Sequence, residues 1–244
     1  MKSRLDKLLS ANGFGSRRDI KRLLKSCCLT VNGNICTDPG FNVDSETDLM
    51  ELDGEQLHIS TMVYLMLNKP AGVVTSTEDP AHRTVIDLLD EPYSRMGLFP
   101  IGRLDRDTEG LLILTNDGPL THRLTSPKTG FDKTYFARLR DLVNEEMFSD
   151  YAKRLTAGVT FHDGYTCLPA TLLPAVTAVD GNNGLRLTIH EGKYHQVKKM
   201  FKALGNEVTY LQRVAMGPLT LDRNLRPGDY RELRPEEIAM LTEQ

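Results

Sequence analysis

The stretch GRLDRDTEGLLILTNDG, residues 102–118, most narrows what this chain can fold into. Five charged side chains fall within its first eight positions, and the uncharged run LLILT, residues 111–115, follows. A short apolar run bounded by charges on one side and by an Asn-Asp-Gly turn on the other reads as a strand buried on both faces. The charges before it then belong to a loop that the strand anchors. Further strands are expected at 63–67, 134–139, 166–172, 185–190 and 207–215, many with connections too short for a parallel crossover. Pairing should therefore be mainly antiparallel. Helices are expected at 144–156, where Phe148, Tyr151, Ala152 and Leu155 share helical spacing, and at 195–204, which Gly205 stops. The class is α+β.

Bulk composition sets outer limits. The 244 residues suit one domain of ordinary size plus a small module. Hydrophobic residues make up 40% and charged residues 26%, and no run of about 18 apolar residues occurs, so no membrane span or membrane partner is expected. The start, MKSRLDKLLSANGFG, carries charge throughout and lacks the apolar stretch of a secretory signal, which points to the cytoplasm. Cys27, Cys28, Cys36 and Cys167 form neither a CxxC motif nor a dense framework, so reduced thiols are expected. No coiled-coil heptads are visible, and a monomer is expected.

A net charge of −3 taken alone argues against a nucleic-acid partner, but its distribution reverses that reading. Residues 1–30 hold eight Lys or Arg against Asp6 and Asp19, whereas residues 31–60 hold seven acids and no Lys or Arg. Such asymmetry inside one module points to a basic face aimed at phosphates, with Arg4, Lys7, Arg17, Arg18, Lys21, Arg22 and Lys25 as RNA-binding candidates. Helices are expected at 4–11, with Leu5, Leu8 and Leu9 on one side, and at 17–25, where Ser16 and Asp19 form a capping box ahead of Ile20, Leu23 and Leu24. LTVNG, residues 29–33, reads as a strand running into an Asn-Gly hairpin turn. Together RLDKLL and GSRRDIKRLLKSCCLTVNG resemble the S4 RNA-binding domain, which implies that the two basic helices grip structured RNA. Cys27 and Cys28 stand where that domain usually has a glycine before the strand. The module is expected to span 1–58 and a second domain 62–244.

Several familiar chemistries lack their motifs. GFGSRR resembles a dinucleotide fingerprint only at its start, since Arg18 stands in place of the third glycine and a helix precedes it. HEGKYH spaces His190 and His195 five apart rather than four, so they diverge on a helix, and no metal site is expected. Neither a phosphate-binding loop nor a nucleophile elbow is present. Among Asp105, Asp107, Glu109 and Asp117, residue type and spacing single out no one acid. Lys198 borders the apolar face made by Val197, Met200, Phe201 and Leu204, and with Lys199 it sits near a helix start. Cations are disfavoured there by the macrodipole, which suits either a held anion or a solvated surface. Tyr135 lies on the opposite strand face from Thr134 and Phe136, either as a core ring or as one on which a nucleobase stacks.

LNKPAGVVTST, GRLDRDTEGLLILTNDG, KTY and EGKYHQVKKM follow the order and spacing of the pseudouridine synthases that modify ribosomal RNA and carry an N-terminal S4 domain. The chain resembles that family over nearly its whole length. Resemblance implies an isomerase that detaches uracil from its ribose, turns it and rejoins it through carbon 5, with no cofactor. It implies that Asp105 is the catalytic carboxylate, acting on the ribose as nucleophile or as acid/base group, and that Lys198 pairs with it. The resemblance also implies that Tyr135 stacks on the flipped uracil and helps remove the carbon 5 proton. Arg103 is expected to contact phosphate or fix the loop, Asp107 and Thr108 to bond nearby backbone, and Asn68 and Lys69 to build the site floor. TEDPAHRTV, LFPIGRLDRDTEG and SPKTGFDKTY are most similar to members that act on 16S rRNA of the small subunit, free or in a partly assembled particle. Large-subunit rRNA as the substrate, and a noncatalytic RNA-binding assembly factor on the same fold, stay open as alternatives.

Overall fold

The computed structural model of the chain describes residues 2–45, 47–57, 59, 62–126, 129–177 and 183–242. By contact the chain divides into two compact units. The first takes Met1–Val63 with Ile86–Phe99 and Thr115–Asp117; the second takes Tyr64–Val85, Pro100–Leu114 and Gly118–Gln244. Among the described residues, no helix is long and apolar enough to cross a membrane.

The first unit begins with β1 (Lys2–Arg4), α1 (Leu5–Ala11) and α2 (Arg17–Ser26). It continues with β2 (Leu29–Val31), β3 (Asn34–Ile35), β4 (Asn42–Asp44), β5 (Met50–Leu52) and β6 (Glu55–Gln56). Strand β1 pairs with β4, and the others form an antiparallel sheet in the order β3-β2-β5-β6. Ser16 caps α2 through the expected reciprocal box: its Oγ accepts the Asp19 N–H at 3.3 Å, and Asp19 Oδ2 accepts the Ser16 N–H at 3.0 Å. Leu5, Leu8, Leu9, Ile20 and Leu24 are buried with Leu29, Val31, Val43 and Met50, the helix faces that the spacing selects. Asn32 (φ 51°) and Gly33 (φ 77°) turn β2 into β3, the two positive φ values that a two-residue hairpin of this kind demands. Cys27 leaves α2 in an extended conformation (φ −119°), so the helix ends without a left-handed residue and no glycine is required.

The remaining elements, which lie mostly in the second unit, begin with β7 (Tyr64–Lys69), β8 (Phe99–Pro100), β9 (Glu109–Thr115), α3 (Gly118–Thr125), β10 (Lys133–Leu139) and α4 (Glu145–Ala157). Then come β11 (Thr171–Thr177), β12 (Asn183–Ile189), α5 (Gln196–Ala203), β13 (Val208–Met216), β14 (Leu219–Thr220), β15 (Tyr230–Glu232) and α6 (Pro235–Thr242). Among the described residues the sheet has nine strands, with a main order of β11-β12-β10-β13-β9-β7-β15. Strand β10 lies antiparallel between β12 and β13. Leu111, Leu112, Ile113 and Leu114 of β9 are all fully buried, so this strand is covered on both faces as its unbroken apolar run requires. Leu111, Ile113, Met66, Ile101, Leu124 and Leu241 belong to one core cluster.

Three local expectations differ from the structure. Pairing is mainly antiparallel, but β13 meets β9 in parallel, with Gln212 opposite Glu109 and Arg213 opposite Gly110. The strand expected from 166 starts only at Thr171, because the backbone N–H groups of Cys167 and Ala170 are already bonded to Val159 and Leu155 carbonyls, at 3.0 and 2.9 Å. Pro169 has no N–H to offer a ladder at all. The Asn-Asp-Gly segment, expected as a tight turn, runs directly into a helix: Gly118 opens α3, whose Leu120 and Leu124 are buried one turn apart.

A compact ion network ties β15 to α6. Glu237 accepts two hydrogen bonds from Arg231, each 2.8 Å, plus the Arg234 N–H at 2.9 Å, and Arg231 Nε donates to Asp222 at 2.8 Å. Arg231 bonding holds the Glu237 carboxyl at about 2, against an ordinary value of 4.5, although burial opposes the shift. A carboxyl depressed on folding stabilises the fold above its unfolded pKa, and that stability disappears as pH falls through its folded value. Glu237→Gln is therefore expected to cost about 2–3 kcal/mol at neutral pH, from the linkage energy of a shift this size. Urea titrations from pH 7 to pH 2 should show the gap between variant and wild type closing over the acid end, and a gap independent of pH would refute the assignment.

Candidate active site

The charged loop before β9 is held by its backbone. Lys69, at the end of β7, is fully buried, and its ammonium donates to the carbonyl oxygens of Thr108 (2.9 Å), Pro70 (3.0 Å), Asp105 (3.1 Å) and, more weakly, Arg106 (3.4 Å). Burial lowers its pKa to about 8 despite Asp107, Glu109 and Asp105 nearby. Thr75 makes a second tie, its hydroxyl donating to the Leu104 carbonyl at 2.8 Å. A third joins Gly72 and Arg106: the Gly72 N–H donates to the Arg106 carbonyl at 2.8 Å, and Arg106 Nε donates back at 3.2 Å. The LNKPAGVVT segment is thus a brace for the loop that carries Asp105. Asn68 faces elsewhere and donates to the Leu225 carbonyl at 2.9 Å.

Asp105 opens into a cleft of about 290 Å³ that Tyr135, Arg103, Lys133, Arg213, Glu191 and His195 also line. Its Oδ2 lies 3.1 Å from Lys198 Nζ and its Oδ1 3.6 Å from His195 Nε2. Lys198 is shared, since its Nζ also donates to Asp107 Oδ1 at 2.6 Å. Burial works against the Lys198 ammonium, but its bonds to Asp107 and Asp105 prevail and raise its pKa. Asp107 shows the converse: burial opposes its charge, yet Lys198 lowers its pKa. The carboxylate of Asp107 is thus held by Lys198 as well as by its own backbone N–H. A further turn bond runs from the Thr108 N–H to the Asp105 carbonyl at 3.1 Å, and among the described residues the Thr108 hydroxyl has no partner.

The start of α5 is equally fixed. His195 caps it in the left-handed region (φ 53°), and the buried Gln196 donates to Glu191 at 2.8 Å while accepting the Lys193 N–H at 2.9 Å. Glu191 also accepts the Tyr165 hydroxyl at 2.5 Å and the Leu168 N–H at 2.9 Å. These bonds occupy its oxygens, and they push the Tyr165 phenol up to about 12. Glu191 is a structural acid of the cleft wall.

Tyr135 is buried, and Arg213 stands directly opposite it across the β10–β13 pair, so the two side chains share a sheet face. Thr134 bonds Thr188 at 2.9 Å on the other face. Arg213, only 1% exposed, gives Nε to the Leu111 carbonyl at 2.8 Å, while its buried Nη2 has no partner among the described residues. Gly110 makes room for this: a Cβ there would collide with the Arg213 backbone oxygen, and φ is +100°. Lys133 is pushed down to about 8, chiefly by burial and then by Arg213. Sequence reasoning missed Arg213, Lys133 and His195 as residues of this cleft. The nearest signal was Lys133, which belongs to the KTY motif; an arginine in strand periodicity reads as solvent-facing.

In the first unit, Lys7, Arg17, Arg18, Lys21, Arg22 and Lys25 are all exposed. Arg4 is exposed too, but its guanidinium is engaged by Asp6 through two bonds of 3.0 and 2.9 Å. Arg103 is exposed at the cleft. Among the described residues, no group of three or more His, Cys, Asp or Glu is arranged to hold a metal ion.

A basic helical module with a hairpin, and a mixed sheet whose central strand delivers a lysine-paired carboxylate to a cleft beside a tyrosine, define a class of RNA-modifying enzyme. Residues 63–203 match the RNA pseudouridylate synthase family and residues 3–49 the S4 domain, and the chain belongs to the RNA pseudouridine synthases. It is 47% identical over 240 residues to the uncharacterized RNA pseudouridine synthase YtzG of Bacillus subtilis, with 98% of each chain covered. It is 41% identical to ribosomal small subunit pseudouridine synthase A of Escherichia coli, covering 97% of this chain and 98% of that one. A crystal structure of a pseudouridylate synthase superposes with a TM-score of 0.65 at 37% identity, covering 98% and 99% of the two chains.

Proposed function

We propose that this enzyme converts one uridine of 16S rRNA to pseudouridine, with residues 1–58 positioning the RNA and residues 62–244 carrying out the reaction. The observation that carries the reading is Asp105, 3.1 Å from Lys198 at the cleft, on a loop whose carbonyls Lys69 holds. Similarity to small-subunit enzymes supports the choice of RNA. The target uridine leaves its stack and enters the cleft, where Tyr135 receives the base face. Asp105 then works on the ribose, as nucleophile or proton acceptor, while Lys198 fixes the carboxylate and balances its charge. The bond from carbon 1′ to N1 breaks, uracil turns, a bond from carbon 1′ to carbon 5 forms, the carbon 5 proton is lost and N1 takes up a proton. Substrate and product have the same atoms, so no redox partner enters the balance. Such an enzyme works where ribosomes are assembled, in the cytoplasm.

Wild-type protein incubated with unmodified small- and large-subunit rRNA transcripts or particles, then mapped by carbodiimide-dependent primer extension, should give a new stop in 16S rRNA. A stop in large-subunit RNA alone would move the substrate, and no stop in any of them would overturn the enzymatic reading. The triple variant Arg17→Gln, Arg18→Gln, Lys21→Gln should bind RNA more weakly and flatten the slope of log affinity against log salt by about 2, given roughly 0.7–0.9 per phosphate contact. An unchanged slope would mean that these helices do not meet the phosphates.

A further inference from the structure

Tyr194 plays no part in the site described above, yet its side chain is 74% exposed beside it. The ring lies flat on His195, with centroids 3.8 Å apart and planes 19° apart. His195 in turn lines the cleft and directs Nε2 to Asp105. Tyr194 therefore extends, by one aromatic layer, a stack that begins at the catalytic carboxylate. Its turn is pre-organised. His195 holds a left-handed backbone, the Gln196 N–H donates to the Lys193 carbonyl at 3.1 Å, and the Gln196 side chain clamps both Lys193 and Glu191. One helical turn on, Lys199 Nζ stands 5.9 Å from the Tyr194 ring centroid, tethered to Asp163 at 3.0 Å.

A large ring held out in water on so rigid a support presents a flat apolar face with an ammonium nearby. That combination suits a nucleobase and its phosphodiester: every base has a π face that stacks on an aromatic side chain, and the adjoining cation favours the backbone. Tyr135 is not an alternative for this contact, because it is buried and its place is with the target base. We infer that Tyr194 is a stacking platform for a nucleobase of the substrate RNA next to the target uridine, continuing the Tyr194–His195 stack. The inference rests on the reading of the protein as an rRNA pseudouridine synthase.

The chain contains no tryptophan, so Tyr194→Trp creates a protein with a single indole fluorophore at the platform. In an Asp105→Asn background, which removes turnover, titration with the unmodified 16S rRNA transcript should quench its emission saturably, in step with retention of RNA on a filter. In the otherwise wild-type enzyme, Tyr194→Ala should raise KM for that RNA about tenfold with kcat little changed, and Tyr194→Phe should behave as wild type, as expected for base–aromatic stacking. Emission that stays constant while RNA is retained would overturn the proposal. So would Tyr194→Phe matching Tyr194→Ala, or a fall in kcat at constant KM, which would mean that the ring acts only through His195 on Asp105. If RNA is retained and quenches the indole but wild-type protein forms no pseudouridine, the functional reading fails and the platform stands. Absence of RNA retention overturns both.

Discussion

Asp105→Asn should abolish pseudouridine formation, by about 10³-fold or more, while leaving the fold in place, because proton transfer or attack by a positioned group contributes on this scale. The substitution keeps the shape of the side chain and the backbone carbonyl that Lys69 holds at 3.1 Å. It removes only the charge facing Lys198, which retains Asp107 at 2.6 Å. Thermal unfolding should therefore change little while primer extension shows no new stop. Asp107→Asn is the matching control. Asp107 is 72% exposed at its side chain and shares the same lysine, so its loss should lower turnover by less than about tenfold, as for the loss of one exposed ion-pair partner. Wild-type turnover in Asp105→Asn, or equal losses in the two variants, would remove Asp105 from its assigned role.

Lys69→Met should cost both stability and activity, although Lys69 is placed beneath the reacting groups. Its ammonium serves carbonyls of residues 70, 105, 106 and 108, and methionine fills much of the volume while donating nothing. Leaving buried carbonyls without donors costs about 1–3 kcal/mol each before relaxation, so a net loss of about 3 kcal/mol in urea unfolding is expected. Turnover should fall by about 10²-fold even where the variant is fully folded, since a displacement of the reacting carboxylate by about 1 Å has that effect. Lys69→Arg should not rescue it, because a planar fork cannot direct its donors to carbonyls converging on one point. There is also a pH signature. The folded pKa of about 8 lies below the ordinary 10.5, so between those values the unfolded chain binds the extra proton and this group makes stability rise with pH. The methionine variant should lose that slope, and a folded, fully active Lys69→Met enzyme would refute the brace.

The family was legible because its motifs are local and ordered along the chain. Four of them lie in register, and the best of them, residues 102–118, combines an anchor and a payload: β9 is buried on both faces and the charges sit where it begins. Lys198 was also within reach through the EGKYHQVKKM motif, whose resemblance implied the pairing, and it meets Asp105 at 3.1 Å. Arg213 was not. Its strand pattern calls for an outward-facing cation, and only the parallel contact with Gly110 and a carbonyl of Leu111, more than a hundred positions earlier, makes burial tolerable. Asp107 illustrates a related gap: its backbone bond was expected, but the lysine 91 positions away that shares its carboxylate was not.

What this sequence determines by itself is whatever is decided within a few residues. The Ser16–Asp19 box, the Asn32-Gly33 turn and the apolar run of β9 each satisfy their own backbone or hide their own side chains, so their energetics are complete locally. Tertiary structure decides what each of several equivalent charges meets. A carboxylate in water costs little anywhere in the loop; Asp105 differs from its neighbours because it lines the cleft, with a side chain 25% exposed against 72% for Asp107, and meets Lys198 on one oxygen and His195 on the other.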